Sequence, residues 1–392
     1  MAYSSDVPFA LAATGGERPI CHTSGSIHAA LPNKPKGSVT VADGVRKDEE
    51  FSGTREVEER HRINEANLDK WMRDNVEGFQ GPLTVLQFKG GQSNPTYQLN
   101  TPGRSYVMRR RPFGKLLPSA HAVDREFRVI AALGTQNFPV AKAYALCTDD
   151  AVVGSAFYIM SMEQGRVFWD PTLPSQTPDA RRKIFTSKIE TLAKLHTYDP
   201  QAIGLGDFGK PGNYFARQVD RWTKQYRASE TQHIPEFEKL AEWLPKTVPQ
   251  QERVSIVHGD YRLDNMIFHP AEPRVRAVLD WELSTLGDPM ADFTYLLMQW
   301  TMPGLVNADL KALNIPTQDE AAQIYCGVTN TAVPDLNWYF AYNLFRLAGI
   351  TQGIAGRIRD GTAANAKAIE SAKRTVPLSQ QSWEYAQKAG AV

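Results

Sequence analysis

The stretch IVHGDYRLDNMIFHP, residues 256–270, sets a carboxylate, Asp260, five positions ahead of an amide, Asn265, with His258 two positions before it. A second carboxylate, Asp280, ends the next apolar run, VRAVLD. Carboxylate and amide oxygens are hard donors of the type that hold Mg²⁺, and an Asp beside them can take or orient the proton of an attacking hydroxyl. Phosphoryl transfer from ATP needs this set: one Asp on the acceptor hydroxyl, and an Asn and a second Asp on the metal that neutralises the phosphates. An Asp and an Asn at this spacing are, alone, ordinary turn residues. The third donor and the flanking apolar runs favour the phosphoryl-transfer reading. His258 then reads as a structural hydrogen-bonder, because Asp260 already fills the base position.

For these groups to converge, VSIV and MIF must be short strands that hold the loop, and VRAVLD a third that delivers Asp280. Upstream, LTVLQF, TYQLN and SYVMRR, separated by KGGQSNP and TPGR, predict a three-stranded antiparallel meander. A helix in NEANLDKWMRDNV precedes it, with Leu68, Trp71, Met72 and Val76 at helical spacing. PSAHAVDREFRVIAALG predicts a second helix, with Ser119 as N-cap, an apolar stripe through Val123, Phe127 and Ile130, and Gly134 beyond its end. KAYALCT and AFYIMSM complete a sheet with one helix. After EQGR the pattern becomes helical over 178–197, 213–228, 234–245 and several segments from 289 onward. The expected fold class is α+β: a small antiparallel β-sheet lobe over 51–162 and a large helical lobe over 163–392. Residues 1–50 are too poor in periodic apolar content to order themselves and read as a flexible tail.

Charge and cysteine content exclude several roles. Lys and Arg number 44 against 43 Asp and Glu, so overall charge gives no support to a nucleic-acid partner. Cys21, Cys147 and Cys326 are odd in number and widely spaced, which argues against a disulfide framework or a zinc site and for a reducing, cytoplasmic setting. No apolar run approaches the roughly 18 residues of a membrane span. VPFALAA follows Asp6 without a basic segment, so no secretory signal is expected.

The spacing of His258, Asp260 and Asn265, followed by an acidic metal ligand, is that of kinase catalytic loops. HGDYRLDN with LDWELSTLGDPMADF resembles the aminoglycoside phosphotransferase and choline kinase superfamily, whose fold is similar to that of eukaryotic protein kinases. GGQSNPTY, KLLPSAHAVDREFRV and GRVFWD are similar, more closely, to the kinase-like domain fused to acyl-CoA dehydrogenases and its stand-alone bacterial relatives, over about residues 60–360. The resemblance implies a bilobal protein-kinase-like fold with Asp260 as catalytic base and Asn265 and Asp280 as Mg²⁺ ligands. It implies ATP as phosphoryl donor, with the backbone of Met160 to Met162 against adenine and the turn of Gly90, Gly91, Ser93 and Asn94 over the phosphates. Where kinases place a strand Lys, YVMR has Arg109, whose forked donors can also serve a phosphate. Glu126 would be its ion-pair partner. A register slip of one residue would turn Arg110 or Arg111 inward instead. Asp288 and Asp292 read as caps or anchors of the catalytic loop and His196 as packing, while Glu282 touches either a second metal or a basic neighbour.

Asp280 is followed within twelve residues by GDPMAD, which leaves little room for the activation segment of a peptide kinase. Gly259 stands where regulated kinases carry an Arg that binds an activation-loop phosphate, so phosphorylation gating is not expected. The acceptor is thus expected to be a small molecule. Residues 104–128 hold Arg104, Arg109, Arg110, Arg111, Lys115, Arg125 and Arg128 against Asp124 and Glu126, which favours an anionic ligand, ATP accounting for part of it. Helical spacing in NLFRLAGITQGIAGRIRDG sets Arg346 on a different stripe from Leu347, Ile350 and Ile354, so it faces the cleft and a substrate while they pack, or else faces solvent like Arg357 and Arg359. With the resemblance, these residues point to the hydroxyl of a hydroxyacyl-CoA as acceptor. The alternatives are a small amino alcohol, a sugar or an aminoglycoside, or a non-catalytic pseudokinase module that only binds nucleotide.

Overall fold

Period-two alternation builds the first half of the chain into a sheet. The computed structural model describes residues 53–89, 94–113, 122–210, 212–362 and 366–392. The tail over 1–50, Gly90, Gly91 and Ser93 of the turn, Lys115 and the N-cap Ser119 lie outside the described residues. Six strands, β1 (Thr54–Arg55), β2 (Thr84–Phe88), β3 (Thr96–Asn100), β4 (Ser105–Arg110), β5 (Ala143–Cys147) and β6 (Phe157–Ser161), form an antiparallel sheet in the order β1-β2-β3-β4-β6-β5. Five are the strands anticipated. The sixth, β1, is too short to carry a pattern.

Helix α1 (Glu65–Asn75) starts where the Asn64 side chain accepts the Asn67 amide at 3.0 Å. Its Leu68 and Met72 pack with Tyr97, Leu99, Tyr106, Met108, Phe157 and Ile159 in one buried cluster. Alternation along β4 therefore turns Tyr106, Met108 and Arg110 to this face and Val107 and Arg109 to the other. Arg110 is fully buried there, donating to Tyr97 Oη at 3.0 Å and Ser155 Oγ at 3.1 Å, while Arg111 is exposed. Arg109 alone of the three faces the second helix.

That helix, α2 (Val123–Gly134), begins after Ala122 without a side-chain cap. Its Val123, Val129, Ile130 and Leu133 join the large core formed mainly by the C-terminal half, rather than the α1 cluster. Arg125 Nη2 donates to the carbonyls of Phe208 at 2.7 Å and Ser284 at 3.3 Å, and Arg128 Nη2 donates to the Gly204 carbonyl and pairs with Asp207. The helix bridges the two lobes, packing on β5 and β6 of the sheet and on the short turn over Trp281–Leu283.

After the short α3 (Asp150–Val153), the helical lobe holds α4 (Pro178–Thr197), α5 (Tyr214–Ser229) and α6 (Pro235–Lys246), within a residue of the sequence expectation. Two small hairpin-like sheets follow. Strands β8 (Met266–Phe268) and β9 (Val275–Val278) pair, and β7 (Ser255–Val257) pairs with an unanticipated β10 (Thr285–Gly287). The lobe continues through α7 (Met290–Leu297), α8 (Leu310–Leu313), α9 (Gln318–Thr329), α10 (Asn337–Arg359), α11 (Ala366–Ala372) and α12 (Thr375–Lys388). No helix among the described residues is long and apolar enough to cross a membrane.

One core residue is out of place for an apolar interior. Lys188, on α4, is 1% exposed and hydrogen-bonds only Gln299 Oε1 among the described side chains. Burial pushes its ammonium down to about 7, with Asp264 opposing and Arg262 assisting. In the unfolded chain the same group keeps its proton to roughly pH 10.4. The unfolded state therefore binds more protons between pH 7 and 10, and stability rises with pH across that window. Lys188→Met is expected to raise Tm most at or below pH 7, by the equivalent of roughly 4–5 kcal/mol at the outside, with the gain shrinking toward pH 10. Calorimetry of both proteins at pH 6.5 and 9.5 checks this; a Tm difference independent of pH would contradict it.

Candidate active site

The loop after β7 turns at Gly259, whose φ of +87° and closeness to Leu283 exclude a side chain: an added Cβ would lie 2.9 Å from the Leu283 carbonyl oxygen. The turn presents Asp260, whose side chain is 24% exposed. Asp260 Oδ1 accepts from the Tyr295 hydroxyl at 2.8 Å, and Oδ2 accepts from Asn265 Nδ2 at 3.0 Å. Asn265 Nδ2 also donates to the Asp260 carbonyl at 2.9 Å, so the amide oxygen of Asn265 faces away from Asp260. The Asn265 carbonyl accepts the Leu279 amide at 2.8 Å and ties this loop to the segment that delivers Asp280.

His258 fastens the two carboxylate positions from behind. Its ring is buried, with Nδ1 accepting from the Asp260 amide at 3.2 Å and Nε2 donating to the Leu279 carbonyl at 2.8 Å. Both nitrogens are occupied in the neutral tautomer, which leaves neither for proton transfer. Beneath it, buried Asp292 accepts the amides of His258 and Gly259. Burial works against the Asp292 charge, but His196 and the Gly259 amide outweigh it and hold the carboxyl below its usual range. His196, read as packing, lies with Nε2 3.7 Å from Asp292 and Nδ1 2.7 Å from the Tyr325 hydroxyl, so it braces the anchor. Asp288 accepts the Met290 amide at 2.9 Å at the start of α7.

Asp280 adopts φ +65° and ψ +62°, a left-handed conformation that is strained for a residue with a side chain. Its Oδ1 lies 2.7 Å from Arg109 Nη2. Arg109 Nε lies 2.8 Å from Glu126 Oε2, and its Nη2 is 3.4 Å from Glu282 Oε2. Burial pushes Glu126 up to about 7 against the pull of Arg109. Glu126 also accepts from Asn94 Nδ2 at 2.8 Å and from the Tyr158 hydroxyl at 3.1 Å. Asn94 is fully buried, so its amide supports the ion pair from behind. Three carboxylates thus converge on one guanidinium, an excess of negative charge suited to a further cation. Met160 and Met162 are half-buried where the chain leaves β6. Beyond them Glu163 takes the Ser161 hydroxyl and the Arg276 Nε, each at 2.6 Å, which fixes the connector to β9.

The structure narrows one sequence expectation. Arg346 is buried, which excludes its solvent-facing alternative, while Leu347 and Ile350 pack against the core half-buried and Ile354 on the same stripe is also half-buried. The reason is that α10 lies among α5, α7 and α12, so its central turns have no solvent face. Arg346 is tolerated because Nη2 donates to the Gly259 carbonyl and its guanidinium sits 5.2 Å from the Tyr295 ring and 5.9 Å from that of Trp222. Arg357 and Arg359 are exposed. In the basic run over 104–128, Arg109, Arg110, Arg125 and Arg128 are engaged by protein groups, while Arg104 and Arg111 are exposed. Tyr295 escaped sequence reasoning altogether. The available signal was its place three residues after Asp292 on α7, which sets both on the face that meets the loop.

Comparison with known proteins follows this geometry. A profile of the phosphotransferase enzyme family matches residues 84–322. Mouse acyl-CoA dehydrogenase family member 10 is 43% identical over 348 residues, which cover 86% of this chain and 32% of the mouse protein. The chain spans between 32% and 45% of the length of the curated relatives it matches. A crystal structure from Ralstonia eutropha, described as a putative aminoglycoside phosphotransferase, is 51% identical with a TM-score of 0.78, covering 83% of this chain and 99% of that one. Choline kinase from Cryptosporidium parvum shares the fold, at 11% identity and a TM-score of 0.58 over 84% of this chain and 98% of its own. A loop, sheet and helix arrangement built for phosphate chemistry, and a family profile over more than half the sequence, have one common reading: the chain belongs to the phosphotransferase enzyme family, in the bilobal, protein-kinase-like fold.

Proposed function

We propose that this phosphotransferase moves the γ-phosphoryl group of ATP, with Mg²⁺, to the hydroxyl of a hydroxyacyl-CoA in the cytoplasm. The observation that carries the phosphoryl-transfer part is the meeting of Asp280, Glu282 and Glu126 on Arg109, with the Asp260 loop tied to the Asp280 segment through Asn265 and Leu279. Residues 51–162 act as the nucleotide half and 163–392 as the acceptor half. Arg109, aligned by Glu126, meets the phosphates; the turn of Gly90, Gly91, Ser93 and Asn94 covers them, and the backbone from Met160 to Met162 takes adenine. Asn265 and Asp280 would hold the metal, an oxygen-only donor set that suits Mg²⁺. When bound, the ion neutralises charge on the phosphates. Asp260 orients the acceptor hydroxyl and takes its proton as the new P–O bond forms and the bond to the leaving nucleotide breaks.

Two features support the acceptor. The mouse relative is an acyl-CoA dehydrogenase family member, which associates this sequence with acyl-CoA chemistry. The buried positive charge of Arg346 behind the Asp260 loop also disfavours a polycation there. Phosphorylation would convert a poor leaving group into a good one and prepare the hydroxyl for elimination in acid catabolism. The name of the Ralstonia structure favours a second reading, an aminoglycoside, with amino alcohols and sugars of the same class. A pseudokinase is disfavoured because Asp260, Asn265 and Asp280 are all present. Phosphate transfer to 3-, 4- and 5-hydroxyacyl-CoA, measured against the free acids, amino alcohols and aminoglycosides, decides it. Turnover is expected with the thioesters, and activity confined to uncharged or cationic acceptors would overturn the CoA reading.

A further inference from the structure

We propose that Tyr295 and Arg346 form a positioning pair that fixes the Asp260 carboxylate for its acceptor, an inference that rests on Asp260 being the base. The two oxygens of Asp260 are held by different elements: Oδ2 by Asn265 from its own loop, and Oδ1 by the Tyr295 hydroxyl of α7 at 2.8 Å. Held at both ends, the carboxylate cannot rotate about its terminal bond. A carboxylate oxygen can accept more than one hydrogen bond. Tyr295 therefore leaves Oδ1 able to take a substrate proton while setting the direction from which it does so.

Arg346 supplies the second half of the device. Its Nη2 donates to the carbonyl of Gly259, the residue just before Asp260, and its guanidinium lies 5.2 Å from the centroid of the Tyr295 ring. One side chain from α10 thus references both the loop backbone and the tyrosine that touches the carboxylate. The side chain is 8% exposed, and among the described residues no carboxylate forms an ion pair with it. Burying a guanidinium without such a partner is costly, and packing alone would be served as well by an apolar residue. Burial and the nearby Asp260 charge raise the phenol of Tyr295 well above its ordinary range, so it remains a donor. Neither residue takes the proton. They act through Asp260.

Tyr295→Phe removes the hydroxyl and keeps the ring against Arg346. Expected are a fall in kcat of about 10- to 100-fold, as for a small misplacement of a reacting group, with KM for ATP and Tm nearly unchanged. The same substitution made in an Asp260→Ala background is expected to cost nothing further, since its effect passes through the missing carboxylate. Arg346→Lys, which keeps a charge and a donor, should retain more turnover than Arg346→Met at matched Tm. A Tyr295→Phe enzyme with the kcat of the parent would overturn the pairing and leave the phosphotransferase reading intact. So would a full further penalty in the Asp260→Ala background. A parent protein that moves no phosphate to any acceptor would overturn both.

Discussion

Asp260→Ala is expected to lower kcat by about 10²- to 10⁴-fold, the usual contribution of a positioned general base, while nucleotide affinity stays nearly unchanged. The separation follows from the contacts. Asp260 touches Tyr295, Asn265 and Arg262, and none of the atoms gathered on Arg109. Its removal leaves the Tyr295 hydroxyl without its partner, a cost of roughly 1–3 kcal/mol to stability, and Asn265 keeps its bond to the residue 260 carbonyl. Turnover by ADP release and nucleotide binding by calorimetry check the two halves. Loss of ATP affinity with unchanged turnover would remove Asp260 from the base role.

Asp280→Asn should have the complementary effect, abolishing the Mg²⁺ dependence of nucleotide binding and lowering kcat by at least about 10²-fold, as expected when a metal that stabilises phosphate charge is lost. Asn is the cleaner replacement because it tolerates the left-handed backbone at this position, so charge changes without added strain. Arg109 keeps Glu126 and Glu282 in the variant. Nucleotide titrations across a Mg²⁺ series read the outcome. A normal response to Mg²⁺ would move the metal elsewhere.

Five of the six sheet strands and the first long helices were legible in the sequence because each is long enough to show its period. The catalytic loop was legible for a different reason: Asp260 and Asn265 are five residues apart, so their relation is local. What was hidden depends on distance along the chain. Strand β10 has three residues and gains its identity only by pairing with β7. Tyr295 meets Asp260 across 35 positions. Arg125 and Arg128 read as part of an anion-attracting run, yet they bind carbonyls and a lone carboxylate across the lobes. A carbonyl has no signature in a sequence. The two readings of Arg346 could not be separated in sequence because a stripe argument assumes a helix with one wet face, and no residue in the middle of α10 is exposed.

The seating of α2 has a consequence for control. In kinases that are switched by moving the equivalent helix, inactivation swings a glutamate away from its cationic partner, which requires a helix free to leave. Here the helix that carries Glu126 packs on β5 and β6 and is also fastened to the opposite half through the Trp281–Leu283 turn and through Arg125 and Arg128. A swing of that kind would have to break the contacts with both halves at once. On that ground the contact between Glu126 and Arg109 is expected to hold with and without acceptor, so that output follows acceptor supply rather than a helix switch.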